Sequence, residues 1–339
     1  MAAISSGSSD GDDSRGGGPR KRGSPSDDRR FRDADRGQLL LVAGLVVAVS
    51  LVALVVLLNA SIYSENVATR GIEATDGEAL EVRAAAVEGT GAVIDGTNRN
   101  RLADHDAAVT AVDDGITDLD ASLARTYADR GGVTHVSTNT SSMERGSYVT
   151  GNLTANGTGG SNATLAADVS RTRGFVVEVD PDSLALTDES GATGNAFRVE
   201  FANDSAETRA VYVYEDNVDG NITVAVGENG GDPTVVCSAS SVDPVAVDLT
   251  GGALGNERCP GLWAASAGEL SGPYDVNIER TGAADGDAAL TVLPDSGDSA
   301  SSDHTATPAV YDARIEFSYR TAELRFETTV RVAPGEPDA

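Results

Sequence analysis

The sequence predicts an α+β protein: an N-terminal transmembrane helix with an extracellular helical extension, followed by an antiparallel β-sandwich-like ectodomain. Three observations predict it. Gln38 to Ser64 contains no charged side chain, an apolar stripe recurs at steps of three and four from Val109 to Leu123, and from Phe175 onward apolar and polar residues alternate.

Residues 1–37 are rich in Ser, Gly, Asp and Arg with almost nothing apolar. Such a segment buries too little surface to offset its ordering entropy, so a disordered cytoplasmic leader is expected. The apolar part of 38–64 runs from Leu39 to Leu58, long enough at ~1.5 Å per residue to cross a ~30 Å hydrocarbon core. Arg20, Lys21, Arg22, Arg29, Arg30, Arg32 and Arg36 crowd its N-terminal flank, whereas only Arg70 and Arg83 follow closely. The positive-inside rule therefore puts the N-terminus in the cytoplasm and the C-terminal domain outside a single-pass anchor. The run is too long for a secretory signal core, and NASIYSEN after it makes a poor cleavage site.

The formal net charge is −28, Lys21 is the only lysine, and nearly all the negative charge lies beyond Gly37. Like charges repel, which excludes nucleic acid as a partner of the exterior part. Acidic excess, arginine in place of lysine and few aromatics resemble the proteins of salt-loving archaea.

Asp35-Arg36-Gly37-Gln38-Leu39 stands directly before the apolar run. With the wording RGQLLLVAGLVVAVSLVALVVL, it resembles the cleavage region of archaeal type IV prepilins and the pilin-like surface proteins of haloarchaea. That resemblance implies a peptidase cut after Gly37, a mature chain beginning at Gln38, and lateral packing of the apolar helix with pilin-like subunits or other cell-envelope proteins. Val42 stands where many such pilins carry glutamate, so a minor or pilin-like subunit is implied.

Residues 65–130 are expected to form an extracellular helical region. A first helix reaches about Glu88, Gly89-Thr90-Gly91 and Asp95-Gly96 break it, and a second carries Leu102, Val109, Val112, Ile116, Leu119 and Leu123 on one seam. The seam covers too few heptads for an independent coiled coil, so packing on the first helix or the ectodomain is expected. Residues 131–172, rich in Gly, Ser, Thr and Asn, read as an exposed loop or stalk. Glycosylation sequons fall there at Asn139, Asn152, Asn156 and Asn162, and farther on at Asn203 and Asn221.

From 173 to 335 short alternating runs bounded by Gly, Asp, Asn or Pro predict the β domain. Asp219-Gly220 marks a hairpin turn. Runs at 313–320 and 324–332 predict a terminal hairpin with apolar residues inward. Cys237 and Cys259 are expected to pair in the oxidising exterior, where closing such a loop contributes roughly 3 kcal/mol in the entropic model. Trp263 is expected to pack over that loop, with sugar stacking as the alternative.

Sites of chemistry are few. No nucleophile-elbow or phosphate-loop pattern occurs, so no enzyme and no cofactor are expected. His105, His135 and His304 lack zinc spacing. Oxygen-rich turns at Asp180–Asp182, Glu215–Asp219 and Asp285–Asp287 are weak calcium candidates, chiefly Asp216 and Asp219, and turn chemistry explains them equally well. The expectation is an acidic structural protein of the cell surface, anchored in the bilayer. The alternative is a tethered binding module for a sugar, peptide or calcium.

Overall fold

The computed structural model describes residues 77–153, 162–240, 244–279, 283–297 and 302–337. The chain divides into two compact units, Met1–Glu73 and Ala74–Ala339, and all described residues belong to the second. The leader, the apolar stretch Gln38–Ser64 and the Gly37–Gln38 cut lie outside them. Among the described residues no helix is long and apolar enough to cross a membrane.

Helix α1 is continuous over described residues 77–98, and α2 spans His105–Ala128. The expected break at Gly89–Gly96 is absent. Two glycines instead let the helices approach: a Cβ at Gly89 would lie 2.7 Å from Leu119, and one at Gly115 2.5 Å from Val93. Each costs up to ~1 kcal/mol of helix propensity, which closer packing offsets. The Asp104 side chain caps α2 by accepting from the Ala107 N–H at 2.8 Å. Val112, Ile116 and Leu123 of the expected seam are buried, with Val109 and Leu119 packed beside them.

Strands follow in chain order: β1 Val133–Thr138, β2 Glu144–Asn152, β3 Ala163–Val179, β4 Leu186–Thr187, β5 Phe197–Asn203, β6 Thr208–Asp216, β7 Ile222–Glu228 and β8 Thr234–Ala239. Then come β9 Val245–Asp248, β10 Ala253–Leu254, β11 Glu257–Arg258, β12 Tyr274–Glu279, β13 Gly286–Pro294, β14 Thr305–Arg320 and β15 Arg325–Val332. Short helices α3, Glu189–Asn195, and α4, Leu262–Ala265, interrupt them. The protein is thus mostly antiparallel sheet with a few helices, the pair β4–β6 alone being parallel among the described strands. The alternating runs from Phe175 onward all lie in strands, and β6 and β7 form the expected hairpin, with Gly220 at φ +71.

Where an exposed stalk is expected at 131–172, the described residues instead form β1, β2 and the first part of β3. Its small residues sit where large neighbours crowd the sheet. A Cβ at Gly146 would lie 2.6 Å from the Val292 carbonyl, and one at Gly151 2.8 Å from the His304 ring. Composition suggested a loop because the bulk at these positions comes from partner strands remote in sequence.

Hydrogen-bonded order runs β1-β14-β2-β13-β3-β12-β5-β6-β7-β8. The two long strands, β3 and β14, carry the organisation. The first half of β14 pairs with β2, and its second half lies between β1 and β15. One core lies between α1, α2 and the β1-β14-β15 face, with Ile94, Ile116, Val136, Ile315, Phe317 and Tyr319 buried. A second and larger core gathers Phe175, Phe197, Phe201, Val224, Val276 and Leu290. Cys237 and Cys259 are disulfide-bonded, tying β8 to the segment after β11.

His304 immediately precedes β14 with its ring against Gly151, and its Nε2 is buried with no hydrogen-bond partner among the described residues. Burial holds its pKa below the ordinary 6.5, against the pull of the Asp303 charge. The folded state resists a proton that the unfolded chain accepts, so stability is full above pH 6.5 and declines as pH falls through that value. His304→Leu is expected to flatten the melting temperature between about pH 7.5 and pH 5.5, where the parent declines. Parallel profiles for the two proteins would refute this.

Candidate functional site

Two bulges fix the centre of the molecule. In β3 the register against β13 slips at Gly174, whose φ is +57, and in β14 the register against β2 slips at Tyr311. A bulge frees backbone groups and redirects side chains. Here the freed groups are taken by three side chains. Asn98 at the end of α1 donates to the Val310 carbonyl at 2.9 Å and accepts from its N–H at 3.0 Å, as a neighbouring strand would. His105 Nε2 lies 2.9 Å from the Gly146 carbonyl oxygen.

Arg173 is the third. It is 1% exposed, and its guanidinium donates to the carbonyls of Tyr311 (2.7 Å), Val310 (3.1 Å) and Pro334 (2.9 Å) and to Asp95 Oδ1 (2.7 Å). One side chain thus joins α1, β3, β14 and the C-terminal segment.

Beside this junction β3 loses a strand neighbour. On one side it pairs with β12 as far as Val169 and with β9 only from Val176. A cleft of about 700 Å³ opens next to the intervening stretch. Its lining includes the polar residues Ser170, Arg171, Thr172, Arg331 and Glu336, the apolar residues Trp263, Ala267, Leu270 and Pro273, and exposed Asp295.

Local chemistry presents Trp263 there. Cys259 is fully buried by its disulfide, Gly261 turns the chain at φ +81, and the single turn of α4 projects the indole. Buried Ser266 ends that turn, its hydroxyl donating to the Leu262 carbonyl at 2.8 Å. Trp263 remains half-buried and meets Phe201 at 5.8 Å and 82°, while Phe201 also packs edge-on against Phe175 and Tyr274. Such perpendicular pairs add about 0.5–1.5 kcal/mol each beyond burial. Burial pushes the Tyr274 pKa up to about 12, and its hydroxyl donates to Thr172 Oγ1 at 3.0 Å.

The charges are arranged as a chain. Glu336 takes hydrogen bonds from Arg331 and from the Tyr311 hydroxyl, Arg331 also donates to buried Asp312 at 2.6 Å, and Arg171 pairs with Glu144. Burial raises the Glu336 pKa, but the bonds from Arg331 and Tyr311 outweigh it and hold the carboxyl below its ordinary range. Other groups are not spent internally. Among the described residues the Trp263 indole N–H, Arg171 Nε and the Asp295 carboxylate have no hydrogen-bond partner.

The residues singled out from sequence lie elsewhere. Asn139 caps a short 3-10 turn, accepting from the Ser141 N–H, Asn152 ends β2 and Asn162 precedes β3. Asn156 lies outside the described residues. Asn203 is buried and makes four hydrogen bonds, two to backbone N–H groups of its own turn, so its amide is not presented for glycosylation. Asn221 is held by Asp219.

The calcium candidates are turn residues. Asp216 accepts from the Val218 N–H at 2.7 Å, and Asp219 accepts from the Asn221 N–H and side-chain amide. Among the described residues no cluster of His, Cys, Asp or Glu could hold a metal ion. Only Trp263 among the cleft residues stands out in the sequence. Arg171 and Arg173, two apart just before the run Phe175–Val179, carry the signal that they share one strand face. Arg331 and Glu336 carry none, because only tertiary folding brings them beside Trp263.

A family model matches residues 33–215, more than half of the chain. The chain belongs to the family of unknown function DUF7261. The DUF7261 match begins just before Asp35-Arg36-Gly37-Gln38, takes in the apolar stretch and both helices, and ends in β6. Neither the curated proteins nor the solved structures contain a match to this DUF7261 member.

Proposed function

We propose that this protein is a non-enzymatic structural component of the cell surface, anchored by Gln38–Ser64 with the N-terminus in the cytoplasm and an acidic, sandwich-like β domain outside. Assembly is its mechanism. The apolar helix packs laterally with pilin-like subunits or other envelope proteins, and the β domain faces the medium. The observation that carries this reading is the extent of the family match, in which the Arg36-Gly37-Gln38 apolar segment and α1 belong to one matched unit. The polar fastening of α1 to β14 and β3 supports it further, because it holds the helical part of the matched unit to the sheet of the proposed exterior domain.

Mass spectrometry of the N-terminus, on protein from native membranes with and without prepilin peptidase, tests the proposal. The expected result is a membrane-bound chain beginning at Gln38 only when the peptidase is present. An intact leader in both strains removes the pilin-like part, and recovery from the soluble fraction removes the anchor. A second reading, a tethered binding module, is favoured by the cleft beside Trp263.

A further inference from the structure

We infer that the cleft between Trp263 and the Arg171–Glu336 wall is a binding site for a neutral oligosaccharide. The inference rests on the second reading, a binding module, and is independent of how the chain is anchored. A sugar ring offers an apolar face of C–H groups and a rim of hydroxyls that both donate and accept. Its site therefore needs an aromatic platform facing planar polar side chains. The lining of the cleft holds both kinds of group: a half-buried indole on a one-turn helix, and arginine and carboxylate side chains.

Its volume of about 700 Å³ lies within the ~300–1,000 Å³ typical of small-molecule sites. The spare groups match a hydroxyl-rich ligand in kind. The indole N–H and Arg171 Nε are donors, and Asp295 is an acceptor. The remaining charges leave an excess of one carboxylate, with Arg331 and Arg171 set against Glu336, Asp312 and Glu144. That excess, to which Asp295 adds, repels an anionic ligand and leaves a neutral one as the better match.

An extended peptide fits less well. Strand addition along the whole gap is blocked at its β9 end, where the Gly174 N–H already bonds the Gly335 carbonyl and the Phe175 N–H bonds Thr250 Oγ1.

Trp263 is the single tryptophan of the chain, so intrinsic emission reports on this site alone. The full-length protein, in molar salt and a sugar-free polyoxyethylene detergent, is titrated with trisaccharides of glucose, mannose, galactose and N-acetylglucosamine. Expected is a saturable change in Trp263 emission with at least one of them. Asp295→Ala, which removes a carboxylate that bonds nothing among the described residues, is expected to weaken that binding about tenfold, the worth of one hydrogen bond to a charged group. No saturable response to any of the four overturns the inference, and so does a response that Asp295→Ala leaves unchanged. The N-terminal mapping above is indifferent to either outcome.

Discussion

Arg173→Met is expected to lower the stability of the folded domain by about 3–5 kcal/mol, the usual cost of removing one partner of a buried ionic network. The guanidinium is 1% exposed and serves three carbonyls and Asp95. Methionine fills much of the same volume but leaves those acceptors facing an apolar side chain, each at a cost of about 1–3 kcal/mol where water does not reach it. Asp95 is partly exposed and recovers some hydration, which keeps the total below the simple sum. Thermal melts followed by circular dichroism in molar salt measure the effect, with a shift of roughly 10 °C or more expected. Arg125→Met on the exposed face of α2 is the control, expected to change stability by less than about 0.5 kcal/mol. Equal, small effects at both positions would mean that the junction does not hold the helices to the sheet.

Removing salt is expected to unfold the protein altogether. A net charge of −28 is self-repelling, and the repulsion acts over the Debye length, ~3 Å in 1 M salt but ~10 Å at 0.1 M. Folded domains are stable by only about 5–15 kcal/mol, a margin that unscreened repulsion among exposed carboxylates exceeds. A cooperative melt is expected in molar salt, and its loss below about 0.1 M, where screening fails. A transition of the same midpoint in both conditions would overturn the expectation.

How far the sequence revealed this fold depended on how locally each element is determined. The alternation in Phe197–Phe201 or Ile222–Val226 needs no partner to be recognised, because period two with one buried face is a property of the strand itself. The seam Val112–Ile116–Leu123 is equally self-contained. Gly89 and Gly146 read as breaks or loop for the opposite reason: their meaning lies in Leu119 and Val292, neighbours that only the tertiary fold supplies. The cleft shows the same division. Trp263 stands out as a lone aromatic after Cys259-Pro260-Gly261, but Arg331 and Glu336 are ordinary charges until β15 and the C-terminal segment fold back beside it.

The pairing of β14 also sets a timetable. β1 has β14 as its strand partner, β2 lies between β14 and β13, and Asn98 meets Val310 across 212 residues. The helices and opening strands leave the ribosome early, yet what closes their core is made almost last. Contacts that span so much of the chain slow folding, and here they also postpone it until synthesis is nearly finished. A fragment stopped at residue 215, where the family match ends, would contain both helices and β1 to β5 but neither strand that brackets β2, so the edge of the match is not a place where this chain can be cut. For the exterior location proposed above, the same delay is useful: the chain stays threadable until its final strands arrive.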